Sequence, residues 1–178
     1  MQTWIRALAH VALLACALCA ACTQPESRGA SLLFRGGTGG LTVLEQKQIF
    51  DQLSLSVASD GQSFVDTVCG QPAEASVEFP DLNGDQVSEV VVIFGNSCTS
   101  GHAERSVLLF VRRDGKLRAN LGFPGASVDA LTSRNLGYAD IRIGGPGWCF
   151  PVWRWNGSEY VGLRNEPQEP GGCDAISQ

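Results

Sequence analysis

Residues that carry out chemistry are scarce in this sequence. It holds two histidines, His10 and His102, and no Gly-x-Ser-x-Gly elbow, His-Glu-x-x-His pair or Gly-rich phosphate loop. The common signatures of serine hydrolases, zinc proteases and nucleotide-binding enzymes are thereby excluded. His102 closes Ser97-Cys98-Thr99-Ser100-Gly101-His102, a polar loop that leaves it solvated. Asp129, Asp140 and Glu159 are carboxylates of the type a glycosidase pairs across a scissile bond, but nothing in their spacing brings them together. A basic cluster is also missing. With 13 Lys and Arg against 18 Asp and Glu, the acidic balance argues against nucleic acid as a partner.

Charge is almost absent from the first 21 residues. Arg6 precedes residues 7–21, which are nearly unbroken Ala, Leu, Val and Cys. A short positive segment followed by an apolar run of this length reads as a signal peptide over residues 1–21, too short to stay as a membrane span. Leu18-Cys19-Ala20-Ala21-Cys22 then gives way to the polar Thr23-Gln24-Pro25-Glu26-Ser27. This junction resembles the lipobox of bacterial lipoproteins, whose cysteine thiol is acylated and becomes the first mature residue. It departs at Cys19, where that family prefers Leu. Leu13-Leu14-Ala15-Cys16 is a rival match, but an apolar run follows it. The resemblance implies a lipid on Cys22 and firm attachment through several acyl chains. Because Thr23 stands where Asp favours inner-membrane retention, it also implies the outer membrane, facing the periplasm. Ordinary cleavage near Ala21 would instead release a soluble protein.

Once the signal is removed, 12 basic and 18 acidic residues remain, a balance of −6. Of seven cysteines, Cys16 and Cys19 leave with the signal and Cys22 takes the lipid. Cys69, Cys98, Cys149 and Cys173 remain, an even number in an oxidising compartment, and so two disulfides are expected. No Cys-x-x-Cys occurs among these four, which argues against zinc or redox chemistry. Three connectivities are possible. Cys69–Cys98 and Cys149–Cys173 are preferred because each pair brackets one block of sequence.

Residues 22–40 read as a flexible tether, since they contain Pro25 and the run Arg35-Gly36-Gly37-Thr38-Gly39-Gly40. Residues 41–178 form one domain of mainly β class with a single N-terminal helix. Thr42 and Glu45 have capping-box spacing, and Leu44, Ile49, Phe50 and Leu53 supply an apolar helix face that runs to about Leu55. From Ser63 onward the pattern is β. Val90-Val91-Val92-Ile93-Phe94 is a buried-strand run, and Asp114-Gly115 and Asn156-Gly157 each separate two apolar runs as type I′ hairpin turns do. The antiparallel hairpins look like a diverged two-unit repeat. Glu89-Val90-Val91-Val92 matches Asp140-Ile141-Arg142-Ile143, and Cys98 and Cys149 each follow nine residues later. Such units stack as propeller-like blades or as a sandwich.

The string Asp81-Leu82-Asn83-Gly84-Asp85-Gln86-Val87-Ser88-Glu89 places oxygen-bearing side chains at positions 1, 3, 5 and 9. Calcium takes six to eight oxygen ligands, and a tight loop of this composition can supply them from one side. Asp81, Asn83, Asp85 and Glu89 would give side-chain oxygens and Val87 its carbonyl. The string resembles the Asp-x-Asn-Gly-Asp-Gly calcium loops of FG-GAP and VCBS repeats, which lie between strands of β-propellers. It departs at Gln86, where those loops have Gly, and Val92 stands where an EF-hand has its bidentate Glu. The resemblance implies a structural calcium ion. Without an ion, the same residues make an Asx-rich turn.

Trp148, Phe150, Trp153, Trp155 and Tyr160 form an aromatic group. Trp153 and Trp155 share one face of their strand and are the candidate partner surface; cross-strand packing is the alternative. The expected function is a calcium-stabilised protein-binding module on the outer membrane. Resemblance to small envelope lipoproteins that inhibit lysozyme-like enzymes suggests an inhibitor or immunity protein against a peptidoglycan hydrolase. A structural or assembly lipoprotein and a divergent hydrolase are the alternatives. The lipid itself is directly testable. Cys22→Ser should abolish acylation and move the protein out of the membrane fraction; unchanged mass and partition would refute the lipobox reading.

Overall fold

Residues 27–174 are described by a computed structural model of the protein. The signal segment and Cys22 lie outside the described residues. Two short helices, α1 (Arg28–Leu33) and α2 (Val43–Phe50), precede ten strands. Strands β1 (Leu55–Val57), β2 (Phe64–Asp66), β3 (Pro72–Glu78), β4 (Val90–Gly95), β5 (Ser106–Arg113) and β6 (Lys116–Pro124) form one antiparallel sheet in chain order. Strands β7 (Ser127–Asn135), β8 (Tyr138–Gly144), β9 (Cys149–Trp155) and β10 (Tyr160–Pro167) form a second. A short helix, α3 (Ser97–Ser100), interrupts the β4–β5 connection.

Burial explains the stacking. Val90 and Val92 point from β4 toward the helices, where they meet Leu33, Phe34, Leu41, Ile49, Leu53 and Phe110. Val91 and Ile93 alternate to the other face and pack with Val107, Leu109, Ile141, Ile143, Trp155 and Tyr160 from both sheets. The molecule therefore has three layers: helices, six strands and four strands. A strand buried on both faces carries no polar alternation, which is why residues 90–93 read as one apolar run. Each such side chain contributes about 1.5–3 kcal/mol by leaving water.

The two-unit pattern takes physical form as two four-stranded meanders, β3–β6 and β7–β10. Glu89 lies one residue before β4 and Asp140 lies within β8, and both are buried. The third and fourth strands of each unit are joined at Asp114-Gly115 and Asn156-Gly157. Asp114 and Gly115 both have positive φ, 51° and 70°, as a type I′ turn requires. The second turn departs from that expectation. It is a four-residue loop in which Asn156 Oδ1 accepts from Ser158 N and Glu159 N. A type I′ pair does occur at Leu136-Gly137, a tip that carries no Asn or Asp to announce it. Disulfides join Cys69 to Cys98 and Cys149 to Cys173.

The capping box of α2 forms as its spacing suggests: Glu45 N donates to Thr42 Oγ1 and Thr42 N donates to Glu45 Oε2. The helix is shorter than expected and ends at Phe50, because Ser54 takes a positive φ of 50° and Leu55 opens β1. Ile49 and Leu53 are buried, but Leu44 is exposed.

The tether reading of residues 22–40 is corrected over its described part. Ser27 caps α1, whose Ala30 and Leu33 are buried together with Phe34. Gly29 lets α1 close on the Phe50 ring, which a Cβ there would meet at 2.1 Å. The glycine-rich composition of residues 35–40 masked this apolar triplet. Leu33→Ala and Phe34→Ala should each cost about 2–5 kcal/mol in denaturant unfolding. A tether would leave the midpoint unchanged.

Candidate metal centre

The loop from Asp81 to Glu89 is built by its own side chains. Asp81 Oδ1 and Oδ2 accept from Gly84 N at 2.6 Å and Gln86 N at 3.0 Å. Asn83 Oδ1 accepts from Asp85 N, and Asp85 Oδ1 accepts from Val87 N. Gln86 has a φ of 68°, so it occupies the left-handed conformation that glycine fills in the resembling loops. For a residue with a Cβ this costs on the order of 1 kcal/mol.

Two residues tie the loop into the body of the protein. Leu82 is fully buried in the core between the sheets, its N–H donates to Glu89 Oε2 at 2.8 Å, and its carbonyl accepts from Ala139 N at 2.8 Å. Asn83 Nδ2 donates to Tyr138 Oη at 3.1 Å. Arg134, on β7, donates to the carbonyls of Leu82 and Gly137. A loop of the first sheet is thus seated in the second.

Asp81, Asp85 and Glu89 pair with no basic side chain among the described residues. Burial, followed by repulsion from Asp85 and Asp81, pushes the Glu89 carboxyl above its ordinary value. At Asp81 burial acts the same way, but the N–H groups of Gly84 and Gln86 outweigh it and hold the carboxyl low. Burial, with smaller repulsion from Glu89, Asp85 and Asp81, raises the Tyr138 phenol.

The donor set at Asp81, Asn83 and Asp85 suits a hard cation, since each of these oxygens keeps a lone pair beyond the N–H it accepts. Glu89 fits less directly. It lies under the loop, 2% exposed, with Oε2 turned to Leu82, which leaves Oε1 for a ligand. No three His, Cys, Asp or Glu groups among the described residues are gathered as a ready cage. The loop would have to draw its oxygens inward around an ion.

The equivalent carboxylate of the second unit is satisfied differently. Asp140 is fully buried and accepts from Arg154 Nε at 2.9 Å, Arg154 Nη2 at 2.7 Å and Ser133 Oγ at 2.6 Å. The Arg154 fork, with Ser133 assisting against burial, holds this carboxyl below its ordinary value. Asp129 pairs with Arg142. Glu159 sits in the β9–β10 loop, so the three carboxylates do not converge. His102 is exposed in its polar loop.

The aromatic surface is not where the strand pattern put it. Trp155 is buried, stacked on Tyr138 at 4.4 Å, and Trp153 is half-buried against Phe123, with Nε1 lacking a partner among the described residues. Both point into the inter-sheet core. Trp148, beside Cys149, is the exposed one.

The basic side chains are also more clustered than overall charge indicates. Arg112, Arg113, Lys116 and Arg118 gather on the β5–β6 hairpin. One side of that hairpin borders an open groove of about 1100 Å³ whose opposite wall is Thr42, Gln48 and residues 86–88 of the loop.

Compared with protein-family profiles, curated proteins and solved structures, the chain shows no match.

Arg154→Met should leave Asp140 buried and unpaired, and so lower the denaturant midpoint at neutral pH. Asp140 is held below its unfolded value, so its contribution is present above about pH 4 and lost as pH falls lower. The gap between variant and wild type should therefore narrow on acidification. A gap that did not change with pH would show that packing, not charge, was lost.

Proposed function

We propose that the protein is a lipid-anchored binding module of the cell envelope, braced between its two sheets by calcium at Asp81, Asn83, Asp85, Val87 and Glu89. The observation that carries the calcium reading is the position of the loop. Three carboxylates without cationic partners among the described residues stand at a segment where the first sheet plugs into the second through Leu82. A divalent ion there would turn mutual repulsion into attraction and fix the joint. The lipobox-like junction at Cys22 supports attachment to the outer membrane on its periplasmic side. A peptidoglycan hydrolase, secreted or resident, is the partner that this location brings within reach, and inhibition is the corresponding role.

Calcium that binds only the folded state at one hundred times its Kd should add about 2.7 kcal/mol of stability. Chelation should lower the melting temperature, and Asp81→Ala or Asp85→Ala should remove that dependence. A melting curve unmoved by chelator, with no calorimetric heat at saturating calcium, would leave the loop a simple turn.

A further inference from the structure

The outer edge of β6 combines three properties that a docking strand needs. The first is a free backbone. β6 is an edge strand that pairs with β5 alone, and no other backbone bond to residues 116–119 occurs among the described residues. At Asn120 the edge is closed off, because its side chain donates to Ser158 O and accepts from Tyr160 N. Lys116 and Arg118 exchange their backbone bonds with Arg113 and Val111 of β5, so within this stretch Leu117 and Ala119 turn their N–H and C=O to the open edge.

The second property is space on both faces. The groove of about 1100 Å³ lies on one side, and a smaller one of about 240 Å³, reaching Trp155 and Glu159, lies on the other. A strand added to a sheet edge points successive side chains to opposite faces and needs room for both sets.

The third property is charge. Residues 112–118 carry four cations and one carboxylate, a local excess of +3 on a chain whose formal net charge is −5. Glu45 takes up Arg112 at 2.7 Å. Arg113, Lys116 and Arg118 are exposed and pair with no carboxylate among the described residues. Lysine on an edge strand commonly serves only to repel other edges. Three unpaired cations beside two grooves do that and also select the sign of what can dock.

We infer that the β6 edge at Lys116–Ala119 binds an extended, carboxylate-bearing segment of a partner protein by strand addition. This names the partner chemistry for the binding-module reading, on which it rests. Residues 86–88 of the loop border the larger groove, but the edge backbone and the cations of β6 lie outside the loop, so the melting experiment above and the one below fail separately.

The test uses the purified protein and a labelled peptide of alternating Glu and Val, followed by fluorescence anisotropy. A Lys-Val peptide of equal length and a single-stranded oligonucleotide serve as comparisons. The Glu-Val peptide should bind best and should slow amide hydrogen exchange at Leu117 and Ala119. Lys116→Glu with Arg118→Glu should weaken it by about tenfold. Arg113→Glu gives an independent check should the double variant unfold. Equal binding of the oligonucleotide with no amide protection would overturn strand addition in favour of plain polyanion attraction. No binding of the Glu-Val peptide would overturn the proposal outright.

Discussion

Strand β4 has no solvent face, and the architecture follows from that constraint. Val90, Val91, Val92 and Ile93 are at most 4% exposed, so a layer must cover each side of the six-stranded sheet. The second sheet covers one. Helices α1 and α2 cover the other, where β1 and β2 are too short to bury much themselves. Leu82 then links the layers. It sits in the inter-sheet core while its backbone bonds reach Glu89 on one side and Ala139 on the other.

The two meanders solve the same electrostatic problem in different ways. Each brings a carboxylate into the interior at its second strand, where an unpaired charge is expensive. Asp140 is neutralised from within by the Arg154 fork. Glu89 receives one N–H and faces two further carboxylates. A site already satisfied by arginine has no use for an ion, whereas one crowded with acids is relieved by one. The metal reading therefore attaches to the first unit and not to its counterpart.

Much of this was legible because local chemistry and tertiary demand agreed. The capping box at Thr42, the Asp114-Gly115 turn, the apolar run of β4 and both disulfide pairs stand where spacing put them. The failures share a cause. Helix α1 (Arg28–Leu33) is stabilised by Phe50 and the sheet beneath, so its own composition under-reports it. Strand β7 breaks register between Ala130 and Arg134, so it shows no clean period. In the loop, the order of oxygens was readable, but the inward turn of Glu89 depends on Leu82 being core. For the tryptophans, sequence shows that Trp153 and Trp155 share a face. Only the second sheet's partner decides that this face is inside.

Were Cys22 to carry the proposed lipid, the early start of α1 would limit how far the domain can stand from a bilayer. Between Cys22 and Arg28 there are six residue steps, which span about 20 Å at full extension. Under the proposed anchor the domain would then be moored close to the headgroups. The end of the domain that α1 enters carries Arg28, Phe50 and the β1–β2 turn, since Gly29 meets Phe50 and Gly61 meets Arg28. Glu45, toward the other end of α2, meets Arg112 of the cationic hairpin. On that reading a partner would have to come to the membrane surface to be met, and the hairpin would lie toward the end of α2 away from the anchor.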